Sequence, residues 1–144
     1  MFQRIMLAWD GSDVALDAFD VAIDLGRRYA AELVAVSVAY SPAHAETRAD
    51  RLESADAARR HLEQSFALVA DRARRAGVEV RHQIVAATNP AQALLAHAHE
   101  HGFDLIVCGH HRSRRAGRML LHDVAEDLYR NAATPVLIVG ERSR

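Results

Sequence analysis

The chain has 144 residues, 50% of them hydrophobic and 26% charged, with 18 basic side chains against 19 acidic ones. That length suits one domain over residues 1–144 with one sizeable core, and the balanced charge excludes a global field that would recruit nucleic acid or an anionic membrane. Every basic residue is arginine, which excludes Schiff-base chemistry on a lysine, and the single Cys108 excludes an internal disulfide framework.

In chain order, Arg4–Ala8 (RIMLA) reads as a buried strand, closed by the turn Asp10-Gly11-Ser12. From Ser12, a candidate N-cap, the spacing of Val14, Ala18, Ala22 and Leu25 and of Leu16, Phe19 and Ile23 predicts a helix to about Tyr29. Glu32–Ala39 is a second strand, and Ser41–Asp50, polar and interrupted by Pro42, is a loop. Asp50–Ala76 is a long helix with Leu62, Phe66, Val69 and Ala73 as its buried stripe and Gly77 as its stop. Glu79–Val85 is a third strand, Asn89-Pro90 opens a helix that ends before Gly102, and Leu105–Gly109 is a fourth strand covered on both faces. His110–Arg118 is a basic loop, Leu120–Asn131 the last helix and Pro135–Val139 the fifth strand. No repeat or linker interrupts this pattern, so it predicts an α/β fold: an open parallel sheet with helices on both faces. The opening MFQRIMLAWDGS meets turn residues too early for a signal peptide, and no apolar run reaches the ~18 residues of a membrane span. These features together lead us to expect a cytoplasmic protein.

Ligands in such sheets bind beyond the carboxyl ends of the strands where the order reverses, here between strands one and four. Asp10 stands there as a turn carboxylate beside an N-cap or as an acceptor for a ribose or base. The loop after Gly109 carries Arg112, Arg114, Arg115 and Arg118, the densest positive charge in the chain. It reads either as a phosphate-binding segment ahead of a helix or as a solvated basic loop. His97 and His101 share a helix face at a spacing that can ligate a metal, but no third ligand completes a zinc site, and favourable interaction with the helix dipole is the simpler account. His110, His111 and His122 could converge on the loop and make it sensitive to pH between about 5 and 8. Cys108 reads as a buried, inert thiol, Trp9 as a core filler, and Asp13, Asp17, Asp20 and Asp24 as the solvated face of the first helix.

Three segments together resemble the universal stress protein family: strand-Asp10-Gly11-Ser12, Asp104–Gly109 (DLIVCG) and Thr134–Val139 (TPVLIV). The likeness runs over essentially the whole chain. It implies a Rossmann-like, adenine nucleotide alpha hydrolase-like sheet in strand order 3-2-1-4-5. The family's nucleotide-binding branch carries G-x2-G-x9-G-[ST] to hold ATP phosphates. At unchanged spacing its first glycine is Gly109, its second falls on Arg112, and its last pair falls on His122 and Asp123. Side chains at Arg112 and His122 obstruct the close backbone approach that glycine permits. A phosphate ~4 Å from the Asp123 carboxylate would be repelled by about 4 kcal/mol per unit pair at an effective dielectric of about 20.

The resemblance is closer to the UspA-like branch, where Gly109-His110-His111 has its counterpart and the ATP motif is likewise degraded. Asp10, the family's ribose or adenine contact, and Val38, which the family packs on adenine, both survive. Tight ATP binding is therefore not expected, while weak binding of ATP, ADP or AMP through this half-site is compatible with the sequence. The fifth strand is short, apolar and, in this fold, at the sheet edge, so both its character and the resemblance predict a homodimer through Val136–Val139. The leading expectation is a non-catalytic stress-response module acting on protein partners. The second is an adenine-nucleotide switch using the loop arginines. A hydrolase or transferase has no support, because Ser12 and Ser113 have no assignable catalytic partner.

Overall fold

The computed structural model describes residues 1–40, 48–111 and 119–141, and of these the side chains except at 40, 48–51 and 119–123. The elements are β1 (Arg4–Ala8), α1 (Asp13–Tyr29), β2 (Glu32–Tyr40), α2 (Arg48–Arg75), β3 (Val80–Ala87), α3 (Pro90–Glu100), β4 (Leu105–His110), α4 (Met119–Asn131) and β5 (Val136–Gly140). The five strands form one parallel sheet in the order β3-β2-β1-β4-β5. All nine expected elements are present, with ends displaced by a residue or two; β3 runs past Val85 to Ala87, and α2 begins at Arg48.

The continuous apolar runs follow from burial on both faces. Ile5, Leu7, Leu33, Ala35, Leu105 and Val107 point to the side covered by Phe19 of α1 and Phe66 of α2. The alternate residues Met6, Val34, Val36, Ile106 and Cys108 point to the other side, against Leu94 and Ala98 of α3 and Ala125 and Leu128 of α4. The two-residue period of a strand therefore supplies two cores rather than one core and a wet face.

Local signals start the helices where the sequence predicts. The Ser12 side chain accepts from Ala15 N, and the Asn89 side chain accepts from Gln92 N with Pro90 in the first turn of α3. One expectation for α1 needs correction. Asp13 and Asp24 are exposed, but Asp17 is buried, and Asp20 is half-covered because Arg72 of α2 donates to both of its oxygens at 3.2 and 3.1 Å. The acidic stripe is thus partly an interface with α2, because α2 lies across that flank of α1.

Candidate functional site

The strand order reverses between β1 and β4, so the crevice beyond their carboxyl ends is the candidate site. On the β1 side the chain leaves the sheet through Trp9-Asp10-Gly11-Ser12. Asp10 Oδ1 accepts from Ser12 N at 2.9 Å and from Ser12 Oγ at 2.5 Å, an Asx-type turn that delivers Ser12 to cap α1. Gly11 has φ +81, and a Cβ there would lie 3.1 Å from the Ser65 side chain, so backbone conformation and packing both favour glycine.

Beneath this turn lies a partly buried polar network that sequence reasoning missed. Trp9 is 3% exposed and edge-packed on Phe19 and Phe66, as expected for a core residue. Its indole N–H donates to Ser65 Oγ at 3.1 Å, and Ser65 donates onward to the Leu62 carbonyl at 2.9 Å. Its backbone carbonyl accepts from Ser37 Oγ at 2.6 Å, and Ser37 Oγ lies 2.8 Å from His82 Nε2. A hydroxyl has one proton to give. With that proton committed to Trp9, Ser37 must accept from His82, which places the imidazole proton on Nε2. The His82 ring stacks on Phe66 with centroids 4.4 Å apart, and burial pushes its pKa below the ordinary value, against a smaller opposing effect of Glu63.

A Ser–His pair at this distance resembles a nucleophile with its base. Ser37 is 1% exposed and its proton points to a backbone carbonyl, so no substrate atom can reach it. The arrangement clamps Trp9. The signal for it was a lone serine inside the apolar run ELVAVSVAY.

On the β4 side, Gly109 has a packing reason of its own. A Cβ there would lie 2.7 Å from the Val14 carbonyl oxygen and 2.9 Å from its carbon, so only glycine lets β4 lie this close to the first turn of α1. Cys108 is buried at 3% exposure, and burial pushes its thiol up to about 12, far from a reactive thiolate. His111 turns back across the crevice. Its Nε2 is buried, lies 4.0 Å from Asp10 Oδ2, and has no hydrogen-bond partner among the described residues.

Val38 sits on β2 beyond the last β1 pair, Ala8 with Val36, and is paired with Val85 of β3. It is half-buried at the same end of the sheet as Asp10. Arg112, Ser113, Arg114, Arg115 and Arg118 lie outside the described residues, as does most of the expected loop before α2. His122 and Asp123 fall in the first two turns of α4, with their side chains outside the description. Of the three histidines expected to converge, His111 lies near Asp10 and His110 ends β4, while the His122 side chain is outside the described residues.

His97 lies in the last turn of α3, where the helix dipole favours it, and its Nε2 is also 2.8 Å from Gln83 Oε1 of β3. Its ring lies 4.2 Å from that of His101, and burial and then His101 lower its pKa. Among the described residues no group of three or more His, Cys, Asp or Glu is placed to hold a metal, and no helix is long and apolar enough to cross a membrane.

Comparison with known proteins agrees with this geometry. A universal stress protein from Thermus aquaticus is 32% identical over 139 residues, covering 96% of this chain and 99% of the relative. The structure of universal stress protein UspA from Lactobacillus plantarum superposes with a TM-score of 0.83 at 22% identity, covering 96% of this chain and 97% of that one. A universal stress protein solved in complex with cAMP superposes with a TM-score of 0.73 at 26% identity, covering 96% and 97% of the two chains. The profile of the Universal stress protein family matches residues 1–140, and the chain belongs to that family.

Proposed function

We propose that this chain is a non-catalytic, cytoplasmic stress-response module that works as a homodimer through Val136–Val139 and acts through contacts with protein partners, its triphosphate cradle lost. The observation that carries the loss of the cradle is Gly109. It is the one motif glycine the chain retains, and the Val14 carbonyl against its Cα accounts for it without any phosphate. Arg112, His122 and Asp123 replace the other motif residues. The dimer is supported by β5, which is an edge strand whose Leu137 and Ile138 remain 37% and 38% exposed in the single chain.

Two measurements test this reading. The supernatant of the denatured, purified protein is expected to contain no stoichiometric ATP; finding it would overturn the loss of the cradle. Light scattering at micromolar concentration is expected to give a dimer mass that Ile138→Lys reduces to a monomer, and a monomeric wild type would overturn the assembly.

A second reading, weak binding of an adenine nucleotide at the Asp10–Val38 half-site, is favoured by a specific feature. Only one Asp10 oxygen is used by its turn; the other lies 4.0 Å from His111 Nε2, which has no hydrogen-bond partner among the described residues. A related protein takes cAMP, a nucleotide with a single phosphate. Under this reading calorimetric titration gives similar, weak affinities for AMP, ADP and ATP. A triple variant, Arg112→Gly with His122→Gly and Asp123→Ser, then gains affinity for ATP alone. A strong wild-type preference for ATP would show instead that the loop arginines rebuild a phosphate site.

A further inference from the structure

We propose that the cleft between the C-terminal ends of α1 and α2 binds a small zwitterion, an aliphatic amino acid being the simplest that fits. The cleft lies at the amino ends of the strands, away from Asp10, so it does not depend on the readings above. It measures about 560 Å³, a size common for small-molecule sites. The turns that lead into β2 and β3 frame it, with Arg27 and Ala30 on one side and Val78 and Glu79 on the other.

Its charges decide what it can hold. Glu32 and Arg81 also line the cleft, but they are engaged: Glu32 pairs with Arg81, and with Arg4 Nε at 2.9 Å. Arg27 and Glu79 are exposed, and among the described residues neither side chain has an ion-pair or hydrogen-bond partner, the other included. One cation and one anion therefore line the same cleft unengaged. Arg27 offers a donor fork to a carboxylate, and Glu79 offers an acceptor to an ammonium. Both helices meet the cleft with their carbonyl ends, which favour the ammonium. A phosphate would be opposed by Glu79 and by those two ends, and a diamine by Arg27. A molecule with one charge of each sign suits both groups.

The backbone supplies a second observation. A helix interior favours alanine over glycine, and a left-handed cap favours glycine over alanine. At this cleft the chain has the reverse, with Gly26 inside α1 and Ala30 at φ 51 in its cap. Packing does not demand the glycine. A Cβ at position 26 would lie 3.7 Å from Val78 and 3.8 Å from Leu33, which is ordinary contact. Local stability is thus given up for the shape of the cleft. The absent Cβ leaves room at its floor, and Ala30, Ala31 and Val78 form an apolar wall for an aliphatic side chain.

The experiment titrates L-leucine, 4-methylpentanoate and 3-methylbutylamine into the full chain, followed by its amide chemical shifts. Leucine is expected to move the amides of Arg27–Leu33 and Gly77–Arg81, and to bind about tenfold more tightly than either analogue, each of which lacks one charge. Arg27→Gln should weaken leucine about tenfold and leave the amine unchanged, whereas Glu79→Gln should weaken leucine as much and leave the acid unchanged. Gly26→Ala should melt no lower than wild type and bind leucine more weakly. The proposal is overturned if leucine at about 20 mM moves none of these amides, or moves those around Asp10 instead. It is equally overturned if the three probes bind alike, or if neither charge substitution weakens leucine. A Gly26→Ala protein that melts several degrees lower, or binds leucine as wild type does, would overturn it too, because the glycine would then serve packing alone or not serve the ligand.

Discussion

The two strand ends that meet at the crevice are built on different terms. At the end of β1 the polar groups pair with one another: the Trp9 indole and carbonyl, Ser37, Ser65, Ser12 and one Asp10 oxygen are joined in short, directed hydrogen bonds. At the end of β4 the fit is steric, with Gly109 pressed on the Val14 carbonyl, and His111 Nε2 has no hydrogen-bond partner among the described residues. The difference separates two demands. A paired polar network holds a turn in one conformation, whereas close backbone packing fixes how near β4 lies to α1.

Gly109→Ala should produce the largest effect, because the clash is with backbone that cannot rotate away. We expect a loss of about 2–3 kcal/mol, read as a fall in Tm of about 4–12 °C. An unchanged Tm would mean that β4 is not held against α1 as described. Ser37→Ala comes next. It strips the Trp9 carbonyl and His82 Nε2 of their shared partner inside the core, at a cost of about 1–3 kcal/mol, with a change in Trp9 fluorescence as the clamp loosens.

Asp10→Ala is expected to cost less, about 1 kcal/mol in thermal or urea melts, since the turn is half-exposed and Ser12 keeps its cap bond to Ala15 N. If it cost as much as Ser37→Ala, Asp10 would belong to the clamp and not to the open side of the crevice.

The smallest effect is that of pH. His82 has its pKa lowered in the fold by burial, so between its folded and unfolded pKa values the unfolded chain binds more protons. The contribution of His82 to stability is complete above the ordinary histidine value near 6.5 and declines as pH falls through the lowered folded value. Melting temperatures at pH 7.5 and 5.5 should differ in that direction, and His82→Gln should narrow the difference. His97, lowered chiefly by burial, acts in the same sense and should account for part of what remains.

Much of this fold could be read along the chain because each element carries its own start, stop and period. Asn89-Pro90, Ser12 and Gly77 punctuate helices by local backbone chemistry, and the apolar runs at Ile5–Leu7 and Leu105–Cys108 mark strands buried on both faces. Asp10, Val38 and Gly109 could be located for the same reason: they stand at strand ends, and the βα alternation puts those ends on one side of the sheet. What Asp10 and Gly109 do could not be read so directly. The family motif places Gly109 at the phosphate, and the fold adds an independent reason for a glycine there, the carbonyl of the adjacent helix.

The sequence by itself determined the order of the elements, the turn that ends β1 and the presence of Arg112, His122 and Asp123 at three positions of the family motif, since these depend on residues near one another in the chain. Tertiary structure alone decided that Asp17 is buried, that Asp20 belongs to Arg72, that Ser37 and His82 converge on Trp9, and that His111 comes within 4.0 Å of Asp10. Helical or strand periodicity tells which face a side chain occupies. Which group from 28, 45 or 52 positions away meets it there is set by how the elements pack.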